Sequence, residues 1–181
     1  VYHLQPLRIH NGYIYTGSDE DFSWYGRRFF KIDILGNVIF EFDMRDSNGN
    51  HYSNTHDLVW DSAGDIYMFG SDSPNRISNT MAQDSCILKF NDQTGKMIWA
   101  KNYTSEYSGS QILNNNTPND VHLNSLTWIQ SSPNNEEAII AHSRTTSTTF
   151  GVSIVHGSIL WAIDTGNLNP QFPAVQATTH I

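Results

Sequence analysis

The chain has 181 residues, 38% apolar and 12% aromatic, which suits one domain with a packed core and argues against disorder as the dominant state. No run approaches the roughly 18 consecutive apolar residues of a membrane-spanning helix. The net charge of −8 argues against nucleic acid and anionic membrane surfaces as partners, since both demand a basic face.

Three segments share one grammar in chain order. The first runs from His10-Asn11-Gly12 through Tyr13-Ile14-Tyr15-Thr16-Gly17 and Phe29–Asp33 to Gly36-Asn37-Val38-Ile39-Phe40. The second runs through Asp61–Gly70 and Ser85–Phe90 to Gly95-Lys96-Met97-Ile98-Trp99. The third runs through Glu136–Ser143 and Phe150–Ile154 to Gly157-Ser158-Ile159-Leu160-Trp161. Each contains short runs rich in Ile, Val, Phe, Tyr and Trp, bounded by Gly, Asn and Asp, and so reads as antiparallel strands joined by tight turns. The aromatic after each Gly turn, Phe40, Trp99 and Trp161, recurs about every 60 residues.

This pattern predicts an all-β chain, with residues 1–181 forming one domain of about three four-stranded antiparallel blades at roughly 10–45, 56–103 and 122–166. A strand-rich sandwich is the other arrangement the pattern allows. Propellers typically close with about four to eight blades. Three blades therefore imply part of a longer propeller, an open stack, or self-association of copies. Two polar stretches, Ser71–Gln83 and Ser105–Asn119, read as surface loops. Asp46-Ser47-Asn48-Gly49-Asn50 reads as a turn and not a calcium loop, because the twelfth position is Asp57 where the loop needs Glu.

The single Cys86 excludes an internal disulfide and, in Cys86-Ile87-Leu88-Lys89-Phe90, reads as a small buried hydrophobe. Low charge, many Asn, Ser and Thr and the sequons at Asn102 and Asn115 point to a secreted, periplasmic or extracellular location, and a start at Val1 without Met implies either a removed targeting segment or a piece of a longer protein.

Two short polar motifs stand at blade starts, Asn54-Thr55-His56-Asp57 and Asn119-Asp120-Val121-His122-Leu123-Asn124-Ser125. In a propeller the first strand of each blade lines the axis, so residues at its entrance converge from different blades. His56 beside Asp57 also reads as a local turn, His122 with Asn124 as an interior polar network, and Arg144 as a surface cation.

His122-Leu123-Asn124-Ser125, followed by a strand and Ser143-Arg144, resembles the H-x-N-S…S-R pattern of the arylsulfotransferase family. His56-Asp57, with the Gly64-Asp65 turn and the strand after it, resembles that family's H-D blade start. The resemblance covers roughly residues 50–166. It implies a six-bladed propeller with its site at the central channel, moving a sulfuryl group from a phenolic sulfate ester to a phenol through a sulfated histidine. It implies neither cofactor nor metal. Carried over, His56, Asn124 and Arg144 are substrate-binding residues, with His122 and Arg144 also assisting catalysis. His180 stands where the family places its nucleophile, although the family's Gln-His adjacency is absent. The chemistry suits the residue types. A neutral histidine is a competent nucleophile, and an arginine fork stabilises charge on sulfuryl oxygens. The alternative reading is a non-catalytic propeller module used for protein binding or extracellular assembly.

Overall fold

The computed structural model describes residues 7–18, 28–71, 85–103, 123–132, 135–143 and 147–164. These residues form three four-stranded antiparallel sheets and no helix. The first sheet holds β1 (Leu7–His10), β2 (Tyr13–Ser18), β3 (Arg28–Asp33) and β4 (Val38–Glu41). The second holds β5 (Ser53–Trp60), β6 (Ile66–Ser71), β7 (Cys86–Phe90) and β8 (Met97–Asn102). The third holds β9 (Leu123–Ile129), β10 (Ala138–Ser143), β11 (Thr148–Ser153) and β12 (Ile159–Asp164). In every sheet the strands pair in chain order, the meander of a propeller blade, and the three sheets are not closed into a ring. No helix among the described residues is long and apolar enough to cross a membrane.

Strand β1 lies upstream of the first segment legible as a pattern. Its residues are exposed or half-buried, so it lacks the alternation that reveals a strand. Its signal is Asn11-Gly12, whose φ values of 47° and 80° form a two-residue hairpin turn joining it to β2.

One polar turn is reused. Asp33 Oδ1 accepts the backbone N–H of Leu35 at 2.9 Å and of Asn37 at 2.8 Å, and Asp33 Oδ2 accepts the Asn37 amide. Gly36 sits at φ 90°, a backbone conformation that a Cβ disfavours. The same D-x-x-G-(N/D) loop recurs at Asp46, where the turn reading holds, and at Asp61. The side-chain amides of Asn37 and Asn50 are the main reason that the Asp33 and Asp46 carboxyls lie below the usual range.

The sheets stack through two apolar seams. Between the first and second sheets lie Tyr15, Phe29, Phe42, Leu58, Met68, Leu88 and Phe90, with Cys86 buried among them. Between the second and third lie Tyr67, Phe69, Ile87, Tyr103, Leu126, Ile139 and Phe150. The second sheet is covered on both faces, and every residue of β6 and β7 is buried. Such strands read as continuous apolar runs.

Lys89 interrupts one of these runs, and its counterpart explains it. Lys89 is the cross-strand partner of Tyr67 and Trp99; Lys31 occupies the same register against Tyr15 and Phe40. Each Tyr–Lys pair reaches the β-turn of the next sheet. Tyr15 donates to Asp92 Oδ1 at 2.7 Å, and Lys31 Nζ lies 2.7 Å from Asp92 Oδ2. Lys89 donates to the Ile154 carbonyl at 3.3 Å, which also lies 3.3 Å from the Tyr67 hydroxyl; that hydroxyl donates its hydrogen to Asp61 Oδ2 at 2.9 Å, and Asp61 and Asp65 of their own sheet neutralise the ammonium. Burial, followed by the bonds to Asp92 and Asp61, pushes both phenols far above their ordinary range.

The third sheet departs from this pattern. Ile140, Gly151 and Trp161 stand at the Tyr, Lys and aromatic positions. A Cβ on Gly151 would lie 2.4 Å from the Trp161 ring, so the indole takes the space a side chain would fill.

Candidate functional site

The first strands of the three sheets are neighbours. His10 of β1 stacks on Trp60 of β5 at 4.1 Å, and β5 lies directly against β9. Asp57 fastens all three. It sits where the register of β5 slips between Thr55 and Leu58, a bulge that adds residues to one strand and turns a side chain out of the ladder. Its Oδ1 takes the Arg8 guanidinium from β1 and the Leu58 N–H at 2.9 Å. Its Oδ2 takes the Leu126 N–H from β9 at 3.1 Å. One mostly buried carboxylate therefore ties three strands from three sheets, and His56 precedes it within the same bulge.

Asn124 lies on β9, exposed, two residues before Leu126. Registers make Leu58 and Leu126 equivalent, because each opens the second cross-strand row of its sheet, Leu58–Met68–Leu88 and Leu126–Ala141–Phe150. His56 and Asn124 each lie two residues before that leucine, both within bulges, although β5 carries two extra residues there and β9 one. Leu123 pairs with Ser143, so the residue after His122 and the residue before Arg144 are cross-strand partners. His122, Arg144 and His180 lie outside the described residues, as do the polar stretches 72–84 and 104–122.

A second seam clamp joins the β5–β6 turn to the third sheet. The Glu137 carboxylate accepts from the Ser62 hydroxyl and, at 3.0 Å, from the Trp128 indole. The Ser62 hydroxyl is the main cause of its carboxyl lying below the usual range. On the β4–β5 connection an open cleft of about 420 Å³ is lined by Glu41, Asp43, Arg45 and His51. Glu41 is held by Arg28 at 2.7 Å and Asp43 by Arg45 at 2.8 Å, which lowers both carboxyls and leaves the cleft with its acids paired. Among the described residues no three His, Cys, Asp or Glu side chains converge as metal ligands.

Sequence reasoning singled out neither Asp57 as a three-strand tie nor the two Tyr–Lys pairs. The first signal was a lone Asp after His in a strand otherwise apolar from Leu58 onward. The second was a Lys two residues before the turn, in register with a Tyr, occurring twice. Compared with known proteins, the chain matches no family model and no curated protein.

Proposed function

We propose that the end of the molecule where β5 and β9 begin binds a phenolic sulfate ester, and that the protein transfers its sulfuryl group to a phenol through a histidine. The single observation carrying this reading is the pairing of Leu123 with Ser143 beside β5. It supports the reading by setting Leu123-Asn124-Ser125 and Ser143, the described parts of the two motifs, at one sheet end on the strand that neighbours β5. Asn124 offers an amide N–H to a sulfuryl oxygen, and Arg144 offers a planar pair of donors. His122 or His56, when protonated, assists the departing phenolate. His180 is the proposed nucleophile; its attack on sulfur forms the N–S bond as the aryl C–O–S link breaks at sulfur, and the phenol acceptor later reverses the step. The proposed setting is outside the cytoplasm.

Incubating the full chain with a simple aryl sulfate and no acceptor tests this. The expected result is a gain of one sulfuryl group on a histidine, discharged by a phenol. Asn124→Ala should lower turnover roughly a hundred- to a thousandfold, the range for a lost donor to developing charge. No mass gain in a folded sample overturns the reading.

A second reading, a non-catalytic module for binding or assembly, draws on a different observation. Among the described residues, every carboxyl or phenol displaced from its ordinary range serves a turn, a seam or a surface ion pair. Perturbed groups in a catalytic cleft point instead to chemistry.

A further inference from the structure

The first sheet has one covered face and one bare face. Phe29 and Lys31 of β3 point into the seam, whereas the alternate residues Phe30 and Ile32 are only half-buried. Cross-strand register aligns Ile9, Ile14, Ile32 and Val38 into an aliphatic row across all four strands of that bare side. Ile9 is 70% exposed and Val38 57%. Among the described residues, six of the eight exposed large hydrophobic side chains lie on this sheet and its β3–β4 turn. A patch of this kind marks an interaction surface in a protein that stays in solution.

The interior seams indicate what covers it. The rows equivalent to Ile9–Ile14–Ile32–Val38 are Trp60–Ile66–Phe90–Met97 in the second sheet and Trp128–Ile139–Val152–Ile159 in the third. Each of those packs on the opposite face of the preceding sheet. The bare face of the first sheet is therefore a receiving face of the same kind.

The third sheet presents a matching face in Ile140, Gly151 and Trp161. It differs from the other two presenting faces in carrying no lysine at the central place. The receiving turn of the first sheet differs correspondingly. Its second residue is Ile34, 70% exposed, where the β7–β8 turn has the Asp92 that neutralises Lys31. The β11–β12 turn has Ile154 at that place, but there Lys89 brings its own acids, Asp61 and Asp65. The ion pair is thus missing from both remaining faces together; exposed aliphatics stand on the first, and the half-buried Ile140 and Trp161 on the third.

We infer that the bare face of β1–β4 is covered by the Ile140–Trp161 face of a second copy of this chain, in a reciprocal pair. The described residues of each copy supply three blades, and the two contacts are related by a twofold axis. Six blades result, within the range that closes a propeller. This deepens the assembly reading and does not depend on sulfuryl transfer, which is read by covalent mass and not by assembly mass.

Sedimentation of the full chain tests it. The expected mass is twice 20.5 kDa. Ile9→Lys and Val38→Lys replace exposed side chains, so they leave the circular dichroism spectrum of the fold intact, and each should weaken the pair at least about tenfold, as expected for a central apolar contact. Ile98→Lys, 49% exposed on β8 and away from both faces, should leave the pair unchanged. Trp161→Lys should mimic Ile9→Lys if the third sheet is the partner surface. A monomer at all concentrations overturns the inference. So does a concentration-dependent ladder of larger assemblies, which is the behaviour of an open contact, or a dimer that Ile9→Lys leaves intact.

Discussion

The second sheet and the first use the same strands to different ends. In the second, β6 and β7 are buried throughout, and a lysine inside an apolar run is tolerated because three oxygens from two sheets meet it. In the first, β3 alternates, with a buried Lys31 toward the seam and half-buried aliphatics on the other side. Position in the stack, more than strand composition, decides which faces are core. An interior blade needs two apolar faces, whereas an end blade keeps the second face only for something outside it.

The sharpest break to that comparison is at the ionic seams. Lys31→Ala leaves Asp92 buried without its cation and should cost about 3–5 kcal/mol in urea unfolding, as loss of one partner of a buried pair does. Converting both partners, Lys31→Met with Asp92→Asn, should cost clearly less than the sum of the singles, because neither change then strands a charge. Additive effects would mean that the pair is solvated.

Next in size is truncation on the two faces of the stack. Leu88→Ala in the interior sheet should cost about 2–5 kcal/mol through the cavity it opens, and Gly151→Ala should also destabilise by driving a methyl into the Trp161 ring. Ile9→Ala on the bare face should stay within about 0.5 kcal/mol for the isolated chain at low concentration. Equal costs for Leu88 and Ile9 would remove the distinction between interior and end blade.

The pH dependence follows from the same elements and is smaller. Asp33, Asp46 and Glu137 have carboxyls lowered by folding, so the stability they add is present above the ordinary carboxylate range near pH 4. It is lost as pH falls through their lower folded values. Tyr15 and Tyr67 have raised values, so their contribution is full below about pH 10 and is lost as pH rises further, since only the unfolded phenols ionise there. Thermal unfolding should therefore weaken on both sides. Tyr67→Phe should flatten the alkaline limb, and an unchanged limb would sever the link to the seam.

The strand runs, the turns and the blade repeat were legible because period-two patterns and Gly-centred loops are local properties of the chain. Asp46-Ser47-Asn48-Gly49-Asn50 announced its turn because the Asp46 bonds to Asn48 and Asn50 close within five residues. Strand β1 was hidden because an exposed end strand has no burial pattern to impose on its residues. At the candidate site, His56 and Asn124 were legible as residues at blade starts, but the joining of their two strands was not. It depends on the β5 bulge and on Asp57 reaching Leu126, 69 positions away.

The sequence by itself determined that this chain forms antiparallel blades, since hydrophobic alternation and turn chemistry act over a few residues. Only the tertiary structure decided that Asp57 joins three strands, that Tyr15–Lys31 and Tyr67–Lys89 are the same device used twice, and that Ile9–Ile14–Ile32–Val38 lies bare. Those facts rest on which face of one sheet meets the next. Long-range packing sets that choice, and no local pattern encodes it.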